Sequence, residues 1–222
     1  MGRYLTAPSI AGVPLPAAVR RRMPDSLRRN ARMRALALRA GLVPPRTMHS
    51  PGESALLAEL AEGRRRAVEI GVYEGSSALV LAGALPLDAE LHLVEPFGDG
   101  MEFWEPADEQ AVKAVIDRAR RRRGGPRVSW HVATSEAVAE SWSEPVDFVF
   151  IDGDHSEAAC RLDWELWSPR VEPGGVVVFH DANGGDPGPT AVVESLFGDG
   201  AGQRGWSVTA TRDTMVAVTR AG

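Results

Sequence analysis

Short apolar strands that each run into an acid or a glycine, separated by helix-length segments, constrain this chain more than any other feature. Four stand out: AVEIG (67–71), LHLVE (91–95), VDFVFID (146–152) and GVVVFHD (175–181). Runs of this length, rich in Val, Ile and Phe, suit strands buried on both faces, and strands alternating with helices pack as a parallel sheet covered on both sides. The pattern predicts helices over 54–61, 76–85, 108–122, 135–141, 156–167 and 190–197. Strands are predicted over 67–71, 90–95, 127–132, 146–151 and 175–180, with a closing hairpin of 206–211 and 214–219 turning at Arg212-Asp213. The expected fold class is α/β, a doubly wound, mostly parallel seven-stranded sheet with a C-terminal antiparallel β-hairpin.

A chain of 222 residues accommodates one such domain and a short extension. The division expected is residues 1–48 as an N-terminal extension and 49–222 as the ligand-binding domain. Nine arginines and one acid, Asp25, fall between Arg20 and Arg46. A helix capped at Asp25 or Ser26 and stopped by Gly41 and Pro44-Pro45 would present them. Such a helix is a solvated face, a lid that meets an anionic substrate, or a contact between copies of the chain in a homo-oligomer. The net charge of −5 suggests neither a nucleic-acid nor a membrane partner. One cysteine, Cys160, excludes a disulfide framework and a cysteine-based zinc site. No apolar run reaches the ~20 residues of a membrane span. Prolines 8, 14 and 16 interrupt any signal-peptide core, so a cytoplasmic protein is expected. Lys113 is the sole lysine, which leaves little scope for a lysine base.

In a doubly wound sheet, ligands bind beyond the carboxyl ends of the strands, where the strand order reverses. The first strand runs into Glu69-Ile-Gly71-Val-Tyr73-Glu-Gly75-Ser-Ser77. Gly71 admits a ligand against the backbone, and Gly75 admits the turn into the next helix. The G-x-x-x-G spacing differs from the dinucleotide G-x-G-x-x-G. Glu69 is placed to accept a hydrogen bond from a ligand ammonium, and Glu95, closing the second strand, to accept from both ribose hydroxyls. At the far side, the fourth strand delivers Asp152, Asp154 and His155, and the fifth delivers His180, Asp181 and Asn183. Two carboxylates with a histidine or amide suit a hard divalent cation, magnesium by preference.

EIGVYEGSSA resembles the first motif of class I S-adenosylmethionine-dependent methyltransferases, the catechol O-methyltransferase type especially. The resemblance implies a Rossmann-like fold in which Glu69, Gly71, Tyr73 and Ser77 hold the methionine part of the donor and Glu95 the ribose. HVATSEAV resembles the third motif, which implies Ser135 and Glu136 beside the adenine. IDGDHSEAACRLDWELWSPRVEPGGVVVFHDA resembles the metal-dependent O-methyltransferases that modify sugars in antibiotic biosynthesis. Asp152 and Asp181 then match metal ligands, with Asp152 also bordering the donor. His180 stands where the macrolide-sugar enzymes have an acid, so His180, Asn183 or water completes the set. His155 matches the histidine base of the sugar-modifying type. The chemistry explains the combination. An aliphatic hydroxyl, with a pKa near ~15.7, lies about nine units above a free histidine, so a polarising metal must help the base. The expected function is O-methyl transfer to a hydroxyl of a sugar or other polar small molecule.

Other readings of the same residues are a glycosyltransferase using Asp152-Gly-Asp154 as D-x-D, an iron oxygenase built from His155, His180 and an acid, and a donor-binding protein without catalysis. His49, His92 and His131 carry no clear chemistry, although His49 sits in a loop that can reach the site. Trp164 and Trp167 suit packing. Trp104, in the irregular stretch after Glu95, is the substrate-side candidate.

Overall fold

The computed structural model describes residues 30–98, 107–198 and 204–222. Trp104, Asp25 and Ser26 lie outside them. In chain order the elements are α1 (Ala31–Ala40), α2 (Pro51–Ala61), β1 (Arg66–Ile70), α3 (Ser76–Ala84), β2 (Glu90–Val94), α4 (Glu109–Arg123) and β3 (Arg127–His131). There follow α5 (Ser135–Glu140), β4 (Val146–Ile151), α6 (Glu157–Trp167), a 3₁₀ turn (Ser168–Arg170), β5 (Val171–Phe179), α7 (Pro187–Phe197), β6 (Trp206–Arg212) and β7 (Met215–Arg220). They form one seven-stranded sheet in the order β3-β2-β1-β4-β5-β7-β6. The first five strands pair in parallel, and β7 joins β5 and β6 antiparallel. The predicted class and closing hairpin are both present.

The alternating side chains of the central strands explain the two layers. On β4, Phe148 and Phe150 enter a core shared with α2, α3 and α4, while Val149 and Ile151 enter a second core beneath α5, α6 and α7. Strand order reverses between β1 and β4, because the chain winds outward from β1 to β3 and returns to the other side of β1 for β4. The carboxyl ends of these two strands therefore flank the cleft that a ligand would enter.

Helix starts depart from the prediction where a cap was overlooked. Helix α1 begins after Asn30, whose side chain accepts from Met33 N at 3.1 Å. Helix α2 begins at Pro51 rather than residue 54, because Ser50 and Glu53 close a reciprocal capping box in front of it. Helix α7 likewise starts at Pro187 behind Asp186. Leu38 of α1 is buried in the same core as α2, α3 and α4. No helix among the described residues is long and apolar enough to cross a membrane.

Candidate functional site

Backbone pairing carries the site into register. Beyond the strands themselves, Gly71 N donates to Val94 O, Asp152 N to Ile70 O, and His180 N to Ile151 O. The first residues past β1, β4 and β5 thus stand side by side along the sheet edge.

At the donor end, Glu69 is fully buried. One carboxylate oxygen accepts from Ser77 Oγ, and the other, Oε2, has no partner. Burial pushes its carboxyl well above the usual range; the Ser77 hydroxyl opposes this, and Asp152 and Glu95 reinforce it. A buried acceptor without a donor is costly, and an incoming ammonium would satisfy it. Glu95 has a different occupation. Its Oε2 accepts from Val72 N and Tyr73 N at 3.0 and 2.9 Å, and Oε1 accepts from Phe97 N at 3.0 Å. It ties the β1 loop to its own strand and keeps roughly one free lone-pair position of about four.

Gly71, at φ +83°, meets a demand of the fold itself. A Cβ there would lie 2.1 Å from the carbonyl oxygen of Asp152, so the β4 loop packs against this backbone. Gly75 opens α3 in the left-handed region, and Tyr73 is also left-handed at φ 49°. Ser135 opens α5, where its Oγ accepts from Trp167 Nε1 at 2.8 Å and meets the buried Asp163. Glu136, next to it, is exposed.

The N-terminal segment reaches this end of the molecule. Glu74, 4% exposed, receives a two-pronged contact from Arg34 of α1, with Nε at 2.6 Å, and also accepts from Arg46 N at 2.6 Å. Arg46 Nη1 donates to Tyr73 OH at 2.8 Å. Two of the arginines therefore clamp the β1 loop rather than face solvent.

At the reactive end, His180 is 3% exposed. Its Nδ1 lies 3.0 Å from Asp152 Oδ1 and 3.1 Å from Asp181 Oδ2, yet neither approach has hydrogen-bond geometry. His155 Nε2 lies 3.5 Å from the same Asp152 oxygen, while its Nδ1 lies 3.8 Å from Asp181 Oδ2 and 3.5 Å from Asp186 Oδ2. Ligand atoms of Asp152, His155 and His180 all fall within 4.8 Å of one another, a spacing that can hold a metal ion. Asp181, at φ 52°, approaches both imidazoles from the loop after β5.

The electrostatics match this crowding. Burial works against charge on His180, but Asp152 and Asp181 outweigh it and raise the imidazole to about 10. Contact with Asp152 raises His155 against the effect of burial, with Asp181 and Asp186 adding to it. Burial opposes charge on Asp152, and the two histidines overcome it and hold the carboxyl below its ordinary value. His180 holds Asp181 down in the same way, against a smaller burial effect. A cation bound between the two carboxylates would take the place of the proton they favour on His180.

Two neighbouring candidates are engaged elsewhere. Asn183 is exposed and donates through Nδ2 to Asp213 O at 2.8 Å. Asp154 is exposed and accepts from Ser156 N at 2.7 Å ahead of α6, and it is not part of the Asp152, His155 and His180 group. Glu53 and Asp186, which no functional motif marked, approach the centre, and so does His49, whose loop was read as able to reach the site. Glu53 Oε2 stands 3.7 Å from His180 Nε2. His49 is buried and feels the charges of Asp152, His180 and Glu53; its Nδ1 meets Ser54 Oγ at 2.7 Å, and its Nε2 has no partner. Only the S-P-G-E capping box hinted at Glu53, and nothing local pointed to Asp186.

Comparison with known proteins places this arrangement. Tricin synthase 1 of Oryza sativa is 31% identical over 132 residues, which cover 59% of this chain and 51% of that protein. The chain thus aligns with about half the length of this curated relative. The O-methyltransferase of Bacillus cereus, solved with S-adenosylhomocysteine, superposes with a TM-score of 0.60 at 22% identity, covering 89% of this chain and 92% of that one. TomG of Streptomyces achromogenes, an O-methyltransferase of tomaymycin synthesis solved with S-adenosylmethionine, gives 0.58 at 22% identity, covering 90% and 91%. These likenesses show the class I, Rossmann-like methyltransferase fold. The family model described as a methyltransferase domain matches residues 68–182, a span that runs from β1 through the acids and histidines of the reactive end, and the chain belongs to that family.

Proposed function

We propose that this chain transfers the methyl group of S-adenosylmethionine to a hydroxyl of a sugar or other polar small molecule, assisted by a divalent cation, with His155 as the base. The observation that carries this reading is the double placement of Asp152. Its backbone packs against Gly71 of the donor loop, and its side chain contacts both imidazoles of the reactive end. Donor and acceptor sites are thereby joined through one residue, as in-line transfer requires.

The residues divide the work. Glu69, with its free buried oxygen, receives the donor ammonium, and Ser77 orients that carboxylate. Gly71, Tyr73 and Gly75 shape the loop around the methionine part. Glu95 offers its remaining lone pair to the ribose, and Ser135 and Glu136 border the adenine. Asp152, Asp181 and His180 would hold the cation, since Asp152 Oδ1 and Asp181 Oδ2 stand 3.0 and 3.1 Å from His180 Nδ1, which an ion would bind in place of the ring proton. A divalent ion there, magnesium in the simplest expectation from the two carboxylates, would polarise the acceptor hydroxyl. His155 accepts the proton that the hydroxyl loses, with Asp181 and Asp186 steadying its other nitrogen.

The test is calorimetry with S-adenosylmethionine and S-adenosylhomocysteine, followed by mass-spectrometric detection of methyl transfer to a panel of sugars and polyols. Asp152→Ala and Asp181→Ala are expected to abolish turnover and leave donor affinity within a few-fold. His155→Ala is expected to slow turnover about 10²- to 10⁴-fold with donor affinity unchanged. Full activity of both aspartate variants in chelator would sink the metal-assisted reading, and no heat with either donor form would sink the donor site.

A further inference from the structure

We propose that the cation site is tuned to a borderline first-row transition ion, in the range from manganese to zinc, over magnesium, and that Glu53 is the positioning residue that sets this preference through His180. This deepens the metal part of the preceding reading and stands apart from its donor part.

The geometry at His180 is that of a ligand held ready. Its Nδ1 is buried, makes no hydrogen bond, and has Asp152 Oδ1 and Asp181 Oδ2 at 3.0 and 3.1 Å. Donors bound at about 2.1 Å and at right angles around an ion are separated by about 3.0 Å, so both edges already have the required length. The opposite nitrogen, Nε2, is likewise buried without a hydrogen-bond partner, and the carboxylate facing it, Glu53 Oε2, stands 3.7 Å away. With an ion on Nδ1 the ring proton would sit on Nε2, and a carboxylate that takes up that proton fixes the ring and strengthens its metal-bound nitrogen. Glu53 suits that task because it cannot swing away. It is 3% exposed, its Oε2 accepts from Ser50 N at 2.7 Å, and its Oε1 accepts from Thr214 N and Oγ at 2.9 and 2.6 Å.

Ligand chemistry then decides among ions. Magnesium is bound through carboxylates, phosphates and water, whereas imidazole favours zinc, iron, nickel and their neighbours. Replacing one oxygen donor by a buried, carboxylate-backed imidazole moves the site toward the second group. His155 also falls within 4.8 Å of the Asp152 and His180 ligand atoms; in this proposal His180 supplies the nitrogen donor and His155 keeps the role given above.

The experiment uses the full chain, stripped of metal by chelator and dialysis, and titrated with Mg²⁺, Mn²⁺, Co²⁺ and Zn²⁺ alone. Because oxygen-only sites also favour transition ions to some degree, the ratio of Co²⁺ to Mg²⁺ affinity is compared between the native protein and His180→Asp, which restores an oxygen donor. The ratio is expected to fall at least tenfold in His180→Asp. Glu53→Gln is expected to weaken Co²⁺ binding about 10- to 100-fold with circular dichroism unchanged. Pulsed EPR of the Cu²⁺-loaded protein provides an independent readout should a variant fail to fold. Imidazole nitrogen coupling should be present in the native protein and persist in His155→Ala. An unchanged Co²⁺/Mg²⁺ ratio in His180→Asp, absence of metal binding, or nitrogen coupling lost in His155→Ala would each overturn the proposal. Binding of S-adenosylhomocysteine to the same stripped protein reports separately on the donor site.

Discussion

Asp163 shows what one side chain contributes against the fold. It is 6% exposed on α6, and burial raises its carboxyl to about 6 despite a contact from Ser135, with Asp154 adding to the rise. A buried acid with a raised value keeps its proton in the folded state while the unfolded chain has released it. Stability therefore falls as pH climbs from the unfolded value of 3.8 to about 6, and the loss persists above that window. Two units correspond to at most about 3 kcal/mol. Asp163→Asn is expected to gain on the order of 1–3 kcal/mol over the native chain at pH 8, with the difference shrinking toward pH 4. Denaturant unfolding of both proteins across that range checks it, and a pH-independent difference would refute the charge origin. Among the functional candidates, Glu69, Asp152, His180 and Asp181 were legible in the chain because a strand end fixes where the next side chain lies. Glu53 was not, because a helix far off in sequence brings it in, nor was Asp186, which caps the helix after β5; His49 was readable only as a loop residue able to reach the site. Gly71 was legible as a special position but its packing was not, since no local pattern reveals that the backbone of Asp152 lies against it.

Among the elements, α1 is set by one acid. Glu74 gathers Arg34 from the helix and Arg46 from the segment after it, and Arg46 in turn holds Tyr73. Arg34 Nη2 also donates to Pro44 O at 3.3 Å, so helix and segment form one clamp over the β1 loop. Removing a buried charge from such a network leaves its partners unmatched. Glu74→Gln is expected to lower stability by about 2–3 kcal/mol and to open the α1 segment to limited proteolysis. Unaltered proteolysis and unfolding would show that Leu38 packing alone holds the helix. The elements themselves were readable from periodicity, and their ends were less so. The missed starts of α2 and α7 have one physical cause, a proline that follows a capping side chain and belongs to the helix's first turn. The longer β5 reflects a register shift against β4 between Val146 and Phe148, which is a property of the pair and not of either segment.

For the molecule as a whole, the reversal of strand order between β1 and β4 determines where ligand energy enters. Alternating strands and helices made a doubly wound sheet legible, since connection rules leave few topologies. The sequence did not show that Asp152 packs its backbone against Gly71 while its side chain meets both imidazoles. A ligand held between β1 and β4 ties the two halves of the sheet together and binds only the folded state. At a hundred times its Kd, S-adenosylhomocysteine should add about 2.7 kcal/mol, or roughly 5–10 °C in Tm. Glu69→Gln should lose most of that rise, because an amide cannot match a carboxylate for the donor ammonium. Equal rises in the two proteins would remove Glu69 from the donor site.

The turn between β6 and β7 has a consequence for biosynthesis. Thr214 grips Glu53, Asp213 receives Ser50 and Asn183, and the Thr214 carbonyl receives Ala182 N and Asn183 N. Residues from both sides of the cleft are thus fastened by a turn that emerges late from the ribosome. The strands bearing Glu69 and Asp152 can assemble while translation continues, but Glu53, which faces His180, is fastened only once the turn has been made. On the function proposed above, a nascent chain gains its grip on the nucleoside before it gains a finished reaction chamber.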